Sequence, residues 1–496
     1  MKKVFAIFLI LVLLVTPLAS CGRDIPESTT DVPPVSTQNI ENVASNVPNI
    51  PENLDISGDF HILVSGNALR NDFDGSEDSS DIVEQAEYNR NQAIKDKYGV
   101  NITNEDIVRF NSSNGQGDGF QKIYTEYMAG TKVYDAAMVG TADVSTLAYN
   151  GLLWDLNSLP HIDLTKDYWD QRANEDLAIA GKMFYSTGDI SVVDNLVTHA
   201  IIFNKDMVKD YQLENPYDLV EADQWTLEKF GALVKQVGQD VDQNGIYDEN
   251  DMYGLLTWND PMVSILSASG ERIASLNDKG EMELTLYNER VVNLYDRFGD
   301  IVYDQQHAYN FQYDNVTGKA TPSGDWDKNR DAIFNEGRAL FYQHNLGVVA
   351  RHRDTDLNFG ILPYPKLDVA QEEYGHFVSN FHASFFCIPL MSDPTRASAV
   401  GELLAYYGQE YLTPAYYDKV LIGRTVRDTE STEMLDLILS THVYDLGACY
   451  SIGKYGSALT QIYQTRQSIS TIYETYRESA QAKIDSINQA YFSNGK

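Results

Sequence analysis

The first twenty residues constrain the rest of the chain most strongly, because they divide it into a part that is removed and a part that folds. Lys2 and Lys3 precede an uncharged apolar run over residues 4–14, and small residues follow up to Cys21. The run is too short to span a bilayer comfortably as a helix, and this order of segments is typical of a cleaved export signal. We therefore expect residues 1–20 to be removed and the remainder to fold outside the cell.

Residues 18–21 read Leu-Ala-Ser-Cys, which resembles the lipobox of bacterial lipoproteins. The resemblance implies that the Cys21 sulfur receives a diacylglyceryl group, so that a lipid would hold the protein at the extracellular face of the cell membrane. The alternative is a plain secretory signal cleaved nearby. Cys387 and Cys449 lie in apolar or aromatic stretches, which favours buried free thiols over the disulfide they could form.

The negative charge of the chain disfavours two classes of binding partner. Its 496 residues are enough for two or three domains, and 72 acidic against 37 basic residues give a net charge of -35. So acidic a body would be repelled by nucleic acid and by an anionic membrane surface. No second apolar segment has the length of a membrane span. We expect a monomer that touches the membrane only through its lipid.

Residues 21–54 are rich in Pro, Ser, Thr, Asn and Asp and have no apolar period, which predicts a disordered tether. Beyond them, apolar strands alternate with helical patterns such as 82–98, which is typical of an α/β domain with a largely parallel sheet. Ligands bind beyond the carboxyl ends of such strands. Asp143 follows the third predicted strand, 134–139, and is therefore a candidate ligand-binding residue.

Several segments resemble the extracellular solute-binding proteins of ABC importers, in the maltose-binding-like group. They are 202–206, 213–216, 225–230, 333–340, 359–366 and 411–447, in the family's order. Within 225–230, Thr226 is suited to cap a helix running to about Gln239. The resemblance implies a two-lobed periplasmic-binding-protein-like fold of type II, each lobe a mostly parallel sheet flanked by helices. An apolar stripe over 459–491 predicts a long C-terminal helix.

The resemblance also implies where the chain passes between the lobes. Three crossings are expected near 186–196, 339–345 and 378–387. Lobe one would then hold residues 55–190 plus 343–381, and lobe two residues 191–342 plus 382–496. A ligand would lie in the cleft between the lobes, which would close around it.

The implied function is capture of a carbohydrate or oligosaccharide and its delivery to the permease subunits of an ABC importer. Sugar recognition needs aromatic faces and side chains that bond to hydroxyls, at strand ends or crossings. Besides Asp143, the candidates are Trp258, Asn345, Asn380, His382, Tyr450 and Tyr455. For each of them a purely structural role in the core or hinge is an equal alternative.

Residues 240–251 carry the pattern of an EF-hand calcium loop. Oxygen-bearing side chains fall at loop positions 1, 3, 5, 9 and 12, with glycine at position 6, as a hard cation requires. The predicted ligands are Asp240, Asp242, Asn244, the Ile246 carbonyl, Asp248 and Asp251. Asp251 replaces the usual glutamate. The expected role of calcium is structural, and the alternative is a solvated acidic turn.

Two other functions stay open. A surface glycoside hydrolase would need two catalytic carboxylates, and close pairs are inevitable by chance among 72 acidic residues. A lipid-anchored sensor would use the same cleft to present its ligand to a receptor. No phosphate-binding glycine loop, zinc-ligand spacing or nucleophile elbow occurs in the sequence. We expect a binding protein with no catalytic residues.

Overall fold

The computed structural model describes residues 46–66, 70–107, 114–315, 317–352, 355–421 and 429–493. The strands are β1 (Gly58–Ser65), β2 (Val100–Ile107), β3 (Ala136–Gly140), β4 (Tyr185–Ser186), β5 (His199–Asn204), β6 (Gly238–Gln239), β7 (Met252–Thr257), β8 (Ala274–Leu276), β9 (Met282–Leu284), β10 (Ala308–Asn310), β11 (Ala339–Asn345), β12 (Phe359–Leu362), β13 (His376–Phe377), β14 (Ser384–Cys387) and β15 (His442–Val443).

The helices lie between and after these strands. They are α1 (Ile82–Tyr98), α2 (Asp118–Ala129), α3 (Thr141–Tyr149), α4 (Gln171–Leu177), α5 (Val193–Val197), α6 (Lys205–Asp210), α7 (Pro216–Glu221), α8 (Leu227–Val234), α9 (Pro261–Ala268), α10 (Glu289–Val302), α11 (Ser323–Asn335), α12 (Val349–His352), α13 (Pro394–Leu421), α14 (Thr429–Ser440), α15 (Leu446–Cys449), α16 (Tyr455–Thr460), α17 (Ile462–Thr465) and α18 (Ile469–Ser493).

Two larger sheets form the cores of two α/β lobes. The sheet of lobe one has the order β2-β1-β3-β14-β4, and that of lobe two has the order β10-β7-β11-β5-β12. Both sheets are mixed, whereas we expected each to be mostly parallel. β5 and β14 each run antiparallel to both of their neighbours. Each is the first strand after the chain changes lobe, so it enters its new sheet from the opposite direction.

The strand pairing corrects the predicted lobe boundaries. Residues 343–381 were assigned to lobe one, but β11 and β12 pair with β5 in the sheet of lobe two. Conversely, β14 pairs with β3 and α13 packs on α1, so both belong to lobe one and not to lobe two. The chain therefore does not cross at 339–345, where β11 is a central strand. The predicted crossing at 339–345 was wrong because a buried strand and a buried crossing segment have the same apolar sequence pattern.

Two described crossings lie side by side. The first connects β4 to β5, as predicted, and the second connects β13 to β14 within the predicted interval 378–387. Thr198 and Val378 form an antiparallel bridge, and the Ser379 amide donates to the Val197 carbonyl at 3.2 Å. α13 packs in lobe one, whereas α14 packs on β12 of lobe two, and the residues between these helices lie outside the described part.

Local signals mostly agree with the structure. Gly99 ends α1 in the left-handed region at φ 69°, and the Thr226 side chain caps α8. α8 ends at Val234, before the predicted Gln239, because Gly238 and Gln239 pair with β7 instead. The C-terminal stripe is divided among α16, α17 and the long α18.

The last part of the predicted tether, residues 46–54, packs against the folded protein. Asn46 bonds through its side chain to Gln409 at 2.8 Å and to the Asp167 amide at 3.1 Å, while Ile50 and Leu54 pack against the core. Apolar residues among the polar ones explain this attachment of residues 46–54. Cys21 and the rest of the tether lie outside the described residues. Cys387 and Cys449 are buried free thiols, as predicted. Of the helices described, none combines the length and apolarity needed to cross a membrane.

Candidate functional site

A cavity of about 980 Å³ lies between the lobes. In lobe two, part of its wall comes from the carboxyl ends of three strands: Trp258 and Asp260 follow β7, Gln312 follows β10, and Asn345 ends β11. Parallel strands present these ends at one edge of a sheet, which is where ligands bind in folds of this class. The volume suits a ligand the size of a small oligosaccharide.

The lobe-one wall comes from four separate parts of the chain. Arg70 lies beyond β1, Asp81 and Glu84 begin α1, Lys419 lies near the end of α13, and Asn380, Phe381 and His382 belong to the second crossing. Phe381 exposes 45 % of its surface, which is unusual for a large apolar side chain beside a hinge. Its ring and its position make it a candidate platform for an apolar ligand face.

Trp258 is the centre of an aromatic stack in the lobe-two wall. Its ring lies 4.8 Å from that of His344 at an angle of 9°, and 5.7 Å from that of His199. The side chain is 9 % exposed, and its buried Nε1 donor has no hydrogen-bond partner within the described residues. A buried indole N–H without a partner is an uncompensated hydrogen-bond donor beside the cleft.

His344 holds two polar side chains of the same wall. Its Nε2 lies 2.9 Å from Nη1 of Arg330, which can only donate, so Nε2 is the acceptor. Its Nδ1 must then carry the proton, which it donates to Oδ1 of Asn345 at 3.1 Å. The ring is therefore neutral. Burial lowers the pKa of His344 well below its ordinary value, and the charge of Arg330 lowers it further.

The acidic groups in the cleft differ in charge. Burial raises the pKa of the half-buried Asp260 carboxyl to about 7, so that near neutral pH it is both donor and acceptor. The pKa of Asp81 is lowered, because bonds from Lys419 and the Val83 amide outweigh the opposing effect of burial. The cleft thus offers aromatic faces, amides and groups of both charges.

Four of the seven predicted ligand-binding residues line this cleft: Trp258, Asn345, Asn380 and His382. Asp143 is not among the residues that line the cleft, and its buried carboxylate accepts from the amides of Gly117 and Phe120 at the start of α2. Asp143 does follow strand β3, as the strand-end argument required. That argument could not predict that two backbone amides would bond to its carboxylate.

Tyr450 and Tyr455 also lie elsewhere. The Tyr450 hydroxyl bonds to that of Tyr491 at 2.5 Å, and the Tyr455 hydroxyl donates to the Tyr473 carbonyl at 2.8 Å. Both residues pack against α18 as core side chains, which was the structural alternative for each of them. The aromatic residues that do reach the cleft include Phe381 and Trp326.

Sequence reasoning missed several cleft residues for different reasons. Asp260 follows the same strand as Trp258, and Phe381 lies between Asn380 and His382, so the arguments used for their neighbours would have found both. Arg330 and Lys419 lie on helices far along the chain. Nothing in their local sequence distinguishes them from solvated basic residues.

The predicted calcium loop connects β6 to β7. Asp240, Asp242 and Asp251 bring one carboxylate oxygen each within 4.8 Å of the others, and Gly245 takes a φ of 79°. Hard oxygen donors converging in this way are the set that calcium prefers. Of the other predicted ligands, Asn244 accepts the Ile246 amide at 2.7 Å and Asp248 accepts the Asn250 amide at 2.9 Å.

Comparison with known proteins decides the family. The family model for bacterial extracellular solute-binding proteins matches residues 97–425. The chain belongs to this family. A search of curated protein sequences finds no significant match to this solute-binding protein. The family consists of binding proteins and not of enzymes.

Solved structures share the two-lobed fold. An ABC substrate-binding protein from Listeria monocytogenes in complex with cycloalternan is 15 % identical, with a TM-score of 0.52 over 87 % of this chain and 98 % of its own. The cyclic alpha-maltosyl-1,6-maltose binding protein from Arthrobacter globiformis is 13 % identical, with a TM-score of 0.56 over 86 % and 99 %. A maltose/maltodextrin-binding domain from Bdellovibrio bacteriovorus bound to maltotriose is 12 % identical, with a TM-score of 0.51 over 88 % and 99 %. At this identity the likeness shows the fold alone.

Proposed function

We propose that this chain is the lipid-anchored, extracellular solute-binding component of an ABC importer, and that its solute is a carbohydrate or oligosaccharide. The observation that carries the proposal is the cavity of about 980 Å³ walled by both lobes and lined by aromatic rings beside amide and carboxyl groups. Rings suit the apolar faces of pyranoses, and the polar groups suit their hydroxyls. The similar structures with bound saccharides support the ligand class.

The adjacent crossings suit a closing motion. With Thr198 bridged to Val378, the described crossings form one narrow hinge, and a ligand that touches both walls favours the closed state by its differential affinity. The closed protein would then deliver the solute to permease subunits. A lipid on Cys21 would keep it beside them at high effective concentration.

A thermal-shift screen of the mature protein tests the ligand class. A ligand at 100 times its Kd stabilises the folded state by about 2.7 kcal/mol, so a bound saccharide should raise the melting temperature by several degrees. Peptides and polyamines are the comparison set. Stabilisation by those compounds and by none of the saccharides would refute the carbohydrate assignment.

The two other functions give different results in simple assays. A glycoside hydrolase would return a shortened oligosaccharide, whereas a binding protein releases it unchanged, as chromatography of the recovered ligand would show. Loss of solute uptake on deleting the gene supports an importer. Retained uptake with lost induction of the solute's genes would instead indicate a sensor.

For the loop 240–251 we propose a structural calcium ion held by Asp240, Asp242 and Asp251, with Asn244, the Ile246 carbonyl and Asp248 completing the set. The convergence of three carboxylate oxygens supports it. The ion would neutralise these charges and fix the β6–β7 connection. Chelator should lower the melting temperature and added calcium should restore it, whereas a D240N/D242N variant should respond to neither. An identical response of wild type and variant would refute the site.

For Cys21 we propose lipidation. Two acyl chains give the stable attachment that so acidic a body cannot obtain from membrane charge. Radiolabelled palmitate should label the wild type, while a Cys21→Ser variant should be unlabelled and released into the medium. Release of the wild type in the same amount would refute the anchor.

A further inference from the structure

The basic side chains in the lobe-one wall of the cleft are paired with carboxylates of the same lobe. Lys419 bonds to Asp81, and Arg70 pairs with both Asp72 and Glu87. A cation that already has an acidic partner has little charge left to attract a solute. The lobe-one wall therefore does not favour an anionic ligand.

The basic side chains in the lobe-two wall are engaged in the same way. Nη2 of Arg351 lies 2.7 Å from a carboxylate oxygen of Asp331. Nη1 of Arg330 donates to the His344 ring, and its Nε lies 3.5 Å from the other oxygen of Asp331. Each basic group that the cleft wall contributes is thus held by another part of the protein.

The carboxylate of Asp260 differs from these groups because it has no partner. Its backbone carbonyl accepts from the Val263 and Ser264 amides at 2.8 and 3.1 Å. Its side chain does not cap α9, since its own φ of -65° and ψ of -28° are already helical. Among the described residues, no group bonds to its carboxylate or forms an ion pair with it. Asp260 therefore presents a half-buried, unpartnered carboxyl group to the cavity.

The histidines beside Asp260 supply no positive charge. The Ser264 hydroxyl donates to the Asp260 carbonyl at 3.2 Å, so it accepts from Nδ1 of His199 at 2.6 Å. Burial lowers the pKa of His199 to about 3, and the His344 ring is neutral because it accepts from Arg330. Burial alone raises the pKa of Asp260 to about 7, with no nearby cation to oppose it.

Aromatic rings line the same cavity. Trp258 precedes Asp260 by two residues, and Phe381 of the second crossing exposes 45 % of its surface. The other rings in the lining are those of Trp326 and Phe377. The face of an aromatic ring carries partial negative charge and attracts cations. Such rings beside an unpaired carboxylate suit an ammonium group.

A protonated amine satisfies Asp260 better than a neutral hydroxyl does. Ionising a buried carboxyl group without a counter-charge is costly, and the group stays partly protonated instead. A hydroxyl supplies a hydrogen bond, whereas an ammonium supplies a hydrogen bond and the missing charge. The opposite wall contributes Glu84, an exposed carboxylate that accepts from the Ser79 hydroxyl. A solute with more than one amine would contact acidic groups of both lobes when they close.

We infer that the solute is an amino-sugar oligosaccharide whose free, protonated amine binds the unpartnered carboxylate of Asp260. This inference rests on the proposed function and narrows its ligand class. It makes Asp260 the residue that distinguishes a free amine from a hydroxyl or an acetylated amine at the same ring position.

Isothermal titration calorimetry at pH 7 with matched ligands tests the inference. The cationic ligand is the linear trimer of glucosamine. Its fully N-acetylated form has the same sugar backbone but no charge, and maltotriose is a neutral trimer with hydroxyls only. We expect the glucosamine trimer to bind at least tenfold more tightly than both neutral trimers, and its affinity to fall with added salt.

Variants locate the effect at Asp260. Asp260→Asn keeps the shape of the side chain and should weaken binding of the glucosamine trimer roughly tenfold, while the affinity for the neutral trimers changes less than twofold. Asp260→Ser serves if the first variant does not fold. Asp296→Asn is the matched control, because it removes the same charge from an exposed position on α10. Equal losses in Asp260→Asn and Asp296→Asn would mean that only the net charge matters, which overturns the inference.

The remaining outcomes separate the inference from the proposed function. If a neutral trimer binds as tightly as or more tightly than the glucosamine trimer, the amino-sugar class is wrong and the carbohydrate-binding function stands. If the glucosamine trimer binds most tightly but Asp260→Asn binds it as the wild type does, the assignment to Asp260 is wrong. If no saccharide of any kind binds, the inference and the proposed function are both wrong.

Discussion

Two histidines on opposite sides of the lobe junction are held in opposite protonation states. His344 lines the cleft and is neutral, because Arg330 donates to one of its nitrogens. His442, on the far side of the hinge, donates from Nδ1 to Asp170 at 2.8 Å, and its Nε2 lies 3.0 Å from the Thr198 hydroxyl. That hydroxyl already donates its single proton to the Asp194 carbonyl at 2.7 Å, so it must accept from Nε2. Both nitrogens of His442 are therefore protonated.

The difference shows how one junction serves two purposes. Behind the hinge, the charged His442 ties lobe two to Asp170 of lobe one and to Thr198 of the first crossing, and Tyr444 adds a bond to Asp170 at 2.6 Å. The side chains of His442, Asp170, Thr198 and Tyr444 thus form their hydrogen bonds within one buried cluster. In the cleft, the neutral His344 orients groups that face the solute. One side stabilises the hinge, and the other orients polar side chains of the cleft wall.

The largest expected effect comes from removing the charged histidine. A His442→Ala variant leaves the buried Asp170 carboxylate without its cation, which should lower the free energy of unfolding by about 3 to 5 kcal/mol. Urea denaturation of the mature protein measures it. A loss below about 1 kcal/mol would show that His442 is not the charged partner of Asp170.

The second prediction uses pH to distinguish the two rings. Burial works to lower the pKa of His442, but the bond and charge of Asp170 outweigh it, so the pKa is raised. Its contribution to stability is thus present below about pH 6.5 and is lost as pH rises through its pKa in the folded protein. The advantage of wild type over a His442→Gln variant should therefore shrink from pH 6 to pH 9.

His344 should show the opposite slope. Its pKa is lowered by burial, so the unfolded chain takes up a proton below about pH 6.5 that the folded protein does not. The stability of wild type relative to a His344→Gln variant should fall from pH 7 to pH 5, by about 1.4 kcal/mol per pH unit at most. Parallel slopes for the two variants would contradict the assigned protonation states.

A third prediction separates binding from stability within the cleft. Phe381→Ala removes an exposed ring, so the free energy of unfolding should change by less than about 0.5 kcal/mol. Affinity for the bound carbohydrate should fall roughly tenfold, or about 1.4 kcal/mol. Calorimetry and urea denaturation of the same variant give both values. Unchanged affinity would remove Phe381 from the binding surface.

The smallest effect on binding is expected for Asp143, a predicted binding residue that lies outside the cleft lining. Asp143→Ala removes the acceptor for the amides of Gly117 and Phe120 at the start of α2 and should cost about 1 kcal/mol of stability. Ligand affinity should stay within twofold of wild type in the same calorimetric assay. A larger loss of affinity would restore Asp143 to the site.

The sequence predicted what depends on local or repeated patterns. α1 with its Gly99 end, the Thr226 cap and the loop 240–251 are contiguous, and the family resemblance supplied the two-lobed arrangement. Trp258 and Asn380 followed from strand ends and crossings. Arg330 and Lys419 could not be found, because they reach the cleft only through the packing of α11 and α13. His442 and Asp170 meet across 272 positions of sequence, and no local pattern indicates such a pair.

The position of β14 has a consequence for how the protein is made. It lies between β3 and β4, so an interior strand of lobe one comes from a segment synthesised after most of lobe two. Until that segment is present, β3 and β4 both lack a neighbour, and α1 lacks the α13 surface on which it packs. A nascent chain cannot complete the sheet of lobe one before residues 384–387 have been synthesised. We therefore expect the assembly of lobe one to be a late step of folding, which follows the synthesis of most of lobe two.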